Sequence, residues 1–150
     1  MIAIRPARAA DIAPIAARMR PIDRLECRAF GHDPRTALRL SFQGACAAHT
    51  ATADGAPVAM FGVGAGNLLD GVGHPWLLGA EEAACERRAW LTHAPRLLAE
   101  LSRGFRRLEN YVHCDNAAAI AWLSRLGFQI AREAEPIGGQ PFLRFTRHVR

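Results

Sequence analysis

The sequence predicts an α/β protein: a single domain over residues 1–150, built on a mixed sheet of about seven strands with helices on both faces. Three observations predict it. With 150 residues, half of them hydrophobic, the chain is long enough for one core and too apolar for disorder. Its segments follow the order β-α-α-α-β-β-β-α-β-α-β-β, without repeats, linkers or low-complexity tracts. A strand-helix-strand run from Trp76 to Cys114 requires a right-handed parallel crossover, whereas the hairpins require antiparallel neighbours.

Each element has a local cause. The opening IAIRPAR alternates in polarity and reads as a strand. Asp11 is placed to cap a helix whose apolar residues Ile12, Ile15, Ala16 and Met19 recur at helical spacing, and Pro21 stops or kinks it. IDRLECRAF is a second helix ending at Gly31. In DPRTALRLSF, Asp33 is the cap and Pro34 the first helical residue. ACAAHTATADGAPVAMFGVGAG reads as a hairpin turning at Asp54-Gly55, where a tight turn needs positive φ. NLLDGVGHP is a glycine-rich loop, and WLLGAEE a strand ending in two carboxylates. After a loop AACERRAWL, Thr92 caps a helix carrying Pro95 in its first turn, with Ala94, Leu97, Leu98, Leu101 and Phe105 on one face. RLENYVHC is a strand. In the next helix Asp115 or Asn116 is the cap, Ala119, Ile120, Leu123 and Leu126 face inward, and Gly127 ends it. FQIAREA and FLRFTRHV close the chain as a hairpin around Gly138-Gly139.

Composition narrows the classes of function. No apolar run reaches the roughly 18 residues of a membrane span, and no basic-apolar leader opens the chain, so a soluble cytoplasmic protein is expected. Cys27, Cys46, Cys85 and Cys114 are scattered without a CxxC pair, which favours reduced, mostly buried thiols over a metal site. All 19 basic residues are arginine, and the net charge of +5 suits an anionic ligand such as a phosphate. Arg103, Arg106 and Arg107 cluster without interleaved aromatics, the pattern of a solvated helix end rather than a nucleic-acid reader.

Two groups of residues carry chemistry. Glu81 and Glu82 are candidate bases at a strand end; alternation along a strand puts them on opposite faces, so at most one serves. Arg87 and Arg88 are the candidate phosphate ligands. His113, Cys114 and Asp115 have the residue types of a nucleophile set, but neighbours on a strand point apart, which argues against a triad.

NAAAIAWLSRLGF resembles the segment N-x-x-A-I-x-x-(Y)-x-x-L-G-F of the GNAT superfamily of acyl-CoA N-acyltransferases. IRPARAADIAPIAARM resembles that family's opening strand and helix, and the element order agrees over nearly the whole chain. The resemblance implies a GNAT-like domain that moves an acetyl group from acetyl-CoA, as co-substrate, to a small-molecule or protein amine. It places the pantetheine arm between two splayed parallel strands, on the backbone of Leu78 and Gly79. The pyrophosphate then sits at a helix start near Arg87, Arg88, Thr92, His93 and Ala94, with Asn116 opening the next helix. Two departures stand out. RRAWLTHA carries Thr92 and Ala94 at or near the family's loop glycines, and Leu123 replaces the tyrosine that commonly protonates the departing thiolate. LENYVHCDNAAAIAWLSRLGF with GGQPFLRFT also resembles the GNAT-like internal virion proteins of short-tailed phages. That likeness implies the alternative: a catalytically degenerate phage or prophage protein, located in the virion and partnered by virion proteins or by copies of itself.

Overall fold

The computed structural model describes the backbone of residues 1–150 and the side chains of all but residues 84–88 and 91. The strands are β1 (Ile2–Pro6), β2 (Ala45–Ala53), β3 (Ala56–Gly64), β4 (Val72–Gly79), β5 (Arg107–His113), β6 (Gln129–Ile130), β7 (Glu135–Ile137) and β8 (Gln140–His148). The helices are α1 (Ile12–Ala17), α2 (Pro21–Ala29), α3 (Pro34–Gln43), α4 (Arg87–Leu101) and α5 (Ala117–Arg125). The sheet runs β1-β2-β3-β4-β5-β8-β6, with β7 added to β8; β4 and β5 are the parallel pair and the other pairs are antiparallel. The predicted mixed sheet and its parallel strand-helix-strand unit are therefore present, with eight strands because the expected FQIAREA strand shortens to β6 and a further short strand, β7, forms just beyond it.

Local signals that depend on one turn behave as expected. Asp33 accepts the Thr36 N–H at 2.9 Å and starts α3, with Pro34 at its first position. Asp54 and Gly55 hold φ of 50° and 85° between β2 and β3. Gly127, at φ 89°, ends α5 and lets the Phe128 N–H return to the Leu123 carbonyl.

Several boundaries move, each for a physical reason. The Asp11 side chain does not cap α1. It accepts bonds from the Arg5 guanidinium, the Arg8 N–H and the Thr50 hydroxyl, tying β1 to β2. Helix α1 stops at Ala17, and Pro21 opens α2 instead of ending the first helix. Strand β4 begins at Val72, inside the expected loop. Glu81 and Glu82 lie beyond the strand in a 3-10 turn (Glu81–Glu86), so strand alternation does not govern them. Helix α4 begins at Arg87 rather than Thr92, which leaves Pro95 in the helix interior.

The sheet separates two cores. On one face, α4 and α5 bury Leu97, Leu98, Leu101 and Leu123 against Phe61, Val63, Leu108 and Val112. On the other, α1, α2 and α3 bury Ile15, Cys27 and Leu38 against Met60, with Trp76 and Leu78 packed at the margin. No helix among the described residues is long and apolar enough to cross a membrane.

Candidate active site

Strands β4 and β5 pair through only two positions, Val72 with Arg107 and Gly73 with Leu108, and their ladder then stops. Beyond it, two side chains brace the pair across a gap. The His74 ring meets the Glu109 carbonyl at 3.0 Å, and the Asn110 amide donates to the Pro75 carbonyl at 2.9 Å. Pro75 fits here because its missing N–H would point into the gap, where no ladder needs it.

Alternation identifies which backbone groups face this opening. Gly79 turns its N–H to Asp23 at 2.9 Å and its carbonyl to the Arg20 N–H at 2.9 Å, away from β3. Leu77, two residues earlier, therefore presents its N–H and carbonyl to the same gap, while Leu78 turns its own toward Met60 of β3. Of the expected backbone ligands, Leu78 thus faces β3 and the Gly79 groups are engaged by Asp23 and Arg20, whereas Leu77 faces the gap.

Helix α2 spans the far end of the gap. Asp23 holds Gly79 at the end of β4, and Glu26 accepts the His113 N–H at 2.8 Å at the end of β5. Asp23 is 1% exposed and is gripped by Arg20 at 2.8 and 3.1 Å. Burial raises its pKa, against the opposing pull of Arg20. Burial also raises the pKa of Glu26; the His113 N–H opposes this, and the nearby Asp23 charge adds to it. Burial likewise pushes the neighbouring Cys27 thiol up to about 12, which marks it as a packed group rather than a nucleophile. The other end of α2 is held by the β7–β8 hairpin. A Cβ at Gly138 would collide with the Ala29 carbonyl, and Phe30 packs edge-on against Phe142.

The remaining sequence-predicted residues are dispersed. Glu81 and Glu82 are both exposed, and Glu82 pairs with Arg18 at 3.4 Å. The side chains of Arg87 and Arg88 lie outside the described residues. Thr92, His93 and Ala94 stand inside α4, so they supply none of its free N-terminal amides; Ala94 is buried. Asn116 is a true cap: its carbonyl oxygen accepts the Ala119 N–H at 3.3 Å and its amide reaches Glu26 at 3.4 Å. It is 5% exposed, which makes it a brace between α5 and α2. The His113 ring accepts the Asp115 N–H and meets Gln140. Leu123 points inward, as its spacing requires. A surface cavity of about 380 Å³, lined by Ala13, Arg35, Arg39 and Phe42 among others, lies away from the gap between α1 and α3.

Asp23 and Glu26 escaped the sequence reading. The available signal was their spacing: residues three apart on a helix share a face, and theirs includes the buried Cys27.

No family model matches the chain, and no curated protein matches it in sequence. Solved structures do match in three dimensions. Ard1 from Thermoplasma volcanium superposes with a TM-score of 0.74 at 15% identity, covering 99% of this chain and 98% of that one. A GNAT-family acetyltransferase from Streptococcus pneumoniae gives 0.64 at 16% identity, covering 99% and 100%. A PaiA N-acetyltransferase from Thermoplasma acidophilum in complex with coenzyme A gives 0.62 at 14% identity, covering 99% of each chain. At such identities the likeness establishes the fold, and the fold is that of the GNAT acetyltransferases.

Proposed function

We propose that the protein is an N-acetyltransferase that moves an acetyl group from acetyl-CoA to an amine. The observation that carries this reading is the interrupted parallel pair. Below Gly73 and Leu108 the two strands part, and Leu77 offers a free N–H and carbonyl to a ligand that pairs as a strand does. Pantetheine carries two amides, so its arm matches that edge. The structural likeness to several acetyltransferases, one of them holding coenzyme A, supports the same reading.

Entry of the arm is assigned to the α4–α5 face, because α2 occupies the opposite one. The helix that follows β4 starts at Arg87, and the pyrophosphate is assigned to that end of α4. The amine then approaches from the α2 side, where buried Asp23 and half-buried Glu26 lie. Leu123 fills space under α5 and donates no proton, so the departing thiolate takes its proton from elsewhere.

The second reading is a GNAT-fold virion protein without turnover. It is favoured by Leu123 and by the glycine-poor RRAWLTHA. Titration with acetyl-CoA separates the two. The enzyme reading expects saturable heat and a rise in melting temperature. Neither response at millimolar acetyl-CoA would remove it. Genome neighbourhood gives an independent check, since adjacent tail and portal genes favour the virion reading.

A further inference from the structure

We propose that Glu26 takes the proton from the acceptor amine, and that the adjacent Asp23–Arg20 pair positions it. This deepens the transferase reading and rests on it.

The two carboxylates of α2 look alike in sequence and differ in their surroundings. Asp23 is neutralised by a two-point contact with Arg20 and by the Gly79 N–H. Glu26 has no such cation: its partners are the His113 N–H and, at 3.4 Å, the Asn116 amide. Among the described residues no ion pair reaches it. A carboxylate drawn out of water while the nearest cation, Arg20, is bound to Asp23 is costly to the fold, and an ammonium brought beside it offsets that cost. Its position is the far mouth of the gap, between the ends of β4 and β5, where an acyl group carried between those strands ends.

The groups facing Glu26 come from every element around it. Asp23 and Arg20 lie on and just before α2, His113 on β5, and Asn116 at the start of α5. The His113 ring is engaged on both nitrogens, by the Asp115 N–H at 3.0 Å and by Gln140 at 2.9 Å, which leaves the carboxylate as the base. Burial and the Asp23 charge both raise the proton affinity of Glu26, so it is a stronger base than a solvated acid. Glu81 and Glu82 are exposed on a turn, and Glu82 is paired with Arg18.

The chemistry balances as follows. Glu26 accepts one proton from the ammonium. The freed nitrogen lone pair forms the C–N bond to the thioester carbonyl carbon while the C–S bond breaks. The second nitrogen proton passes to the departing thiolate, and the products are an amide and a free thiol. Glu26 then returns its proton to solvent.

The test measures kcat/KM against pH with acetyl-CoA and a panel of primary amines that includes a diamine and a peptide N-terminus. Glu26→Gln is expected to lower kcat/KM by about 10²–10⁴-fold well below the amine's own pKa. The loss should shrink as pH approaches that pKa, because a neutral amine needs no base, and affinity for acetyl-CoA should stay at the parent value. Asp23→Asn should move the ascending limb to lower pH, since it removes a like charge. Where Glu26→Gln fails to fold, Glu26→Asp should keep the limb at a reduced rate. An unchanged rate in Glu26→Gln, an equal loss at every pH, or a loss confined to Glu81→Gln or Glu82→Gln would each overturn the proposal. A parent that binds acetyl-CoA but acetylates no amine in the panel overturns it too, and leaves the CoA reading standing. A parent that binds no acetyl-CoA overturns both.

Discussion

The acids withdrawn from solvent, buried Asp11 and Asp23 and half-buried Glu26, divide by sign. Arg5 holds the carboxyl of Asp11 at a pKa of about 2, aided by the Thr50 hydroxyl and the Arg8 N–H, and this outweighs the opposing effect of burial. A carboxylate with a depressed pKa stabilises the fold above its unfolded pKa near 4, and that contribution is lost as pH falls toward about 2. Asp11→Asn should therefore cost about 1–2 kcal/mol at neutral pH, allowing for solvent screening at partly exposed Arg5. Parent and variant should converge between about pH 4 and pH 2 in urea melts; a constant gap would mean that the charge of Asp11 contributes nothing. Asp23 and Glu26 act in the opposite sense, since burial raises their pKa and their ionised forms burden the fold as pH rises. Residue roles that depend on the neighbouring turn, such as the Asp33 cap and Asp54-Gly55, were legible in the sequence. The role of Glu26 was not, because its partner His113 is 87 residues away.

Among the elements, α4 shows how a local signal misleads. Thr92 followed by Pro95 has the form of a helix start, yet the helix already runs from Arg87. The preceding ERRAWL is rich in good helix formers, and the buried stripe Ala94, Leu97, Leu98 and Leu101 holds the helix on the sheet. Packing thus tolerates an interior proline that propensity opposes. The two registers differ in what Pro95→Ala should do. In a helix starting at Thr92, a first-turn proline is nearly harmless, and its loss changes little or destabilises. In the helix running from Arg87, alanine restores an N–H and removes a steric conflict, so stability should rise by up to about 3 kcal/mol. Thermal melts of the two proteins decide the matter, and an unchanged or lower midpoint would return the helix start to Thr92. The expected pyrophosphate residues follow that outcome, because only a start at Arg87 removes Thr92 and His93 from the free amides.

At the scale of the molecule, the sheet is two ladders with a narrow seam. Strands β1 to β4 form one and β5 to β8 the other, joined by two residue pairs and by the His74 and Asn110 braces. Alternating segments and crossover handedness made this sheet legible before the structure, but not the place where the ladder stops, since strand parting leaves no periodic trace in sequence. The seam leaves a gap without dividing the fold, because one core runs beneath it. Ile2 and Ala51 from the first ladder and Phe145 and Val112 from the second share a cluster with Leu97 and Leu101 of α4 and Leu123 of α5. That arrangement makes a definite prediction for Asn110→Ala. The variant loses one hydrogen bond across the seam, leaves the Pro75 carbonyl without it and deprives the Tyr111 N–H of its acceptor, a cost of about 1–3 kcal/mol. Unfolding should nevertheless remain a single transition, with fluorescence and far-UV dichroism coincident in urea, because the helices bind both halves into one cooperative unit. Two separated transitions would show that the seam, rather than the core beneath it, holds the halves together, and a ligand lying in the gap would then be needed to complete the fold.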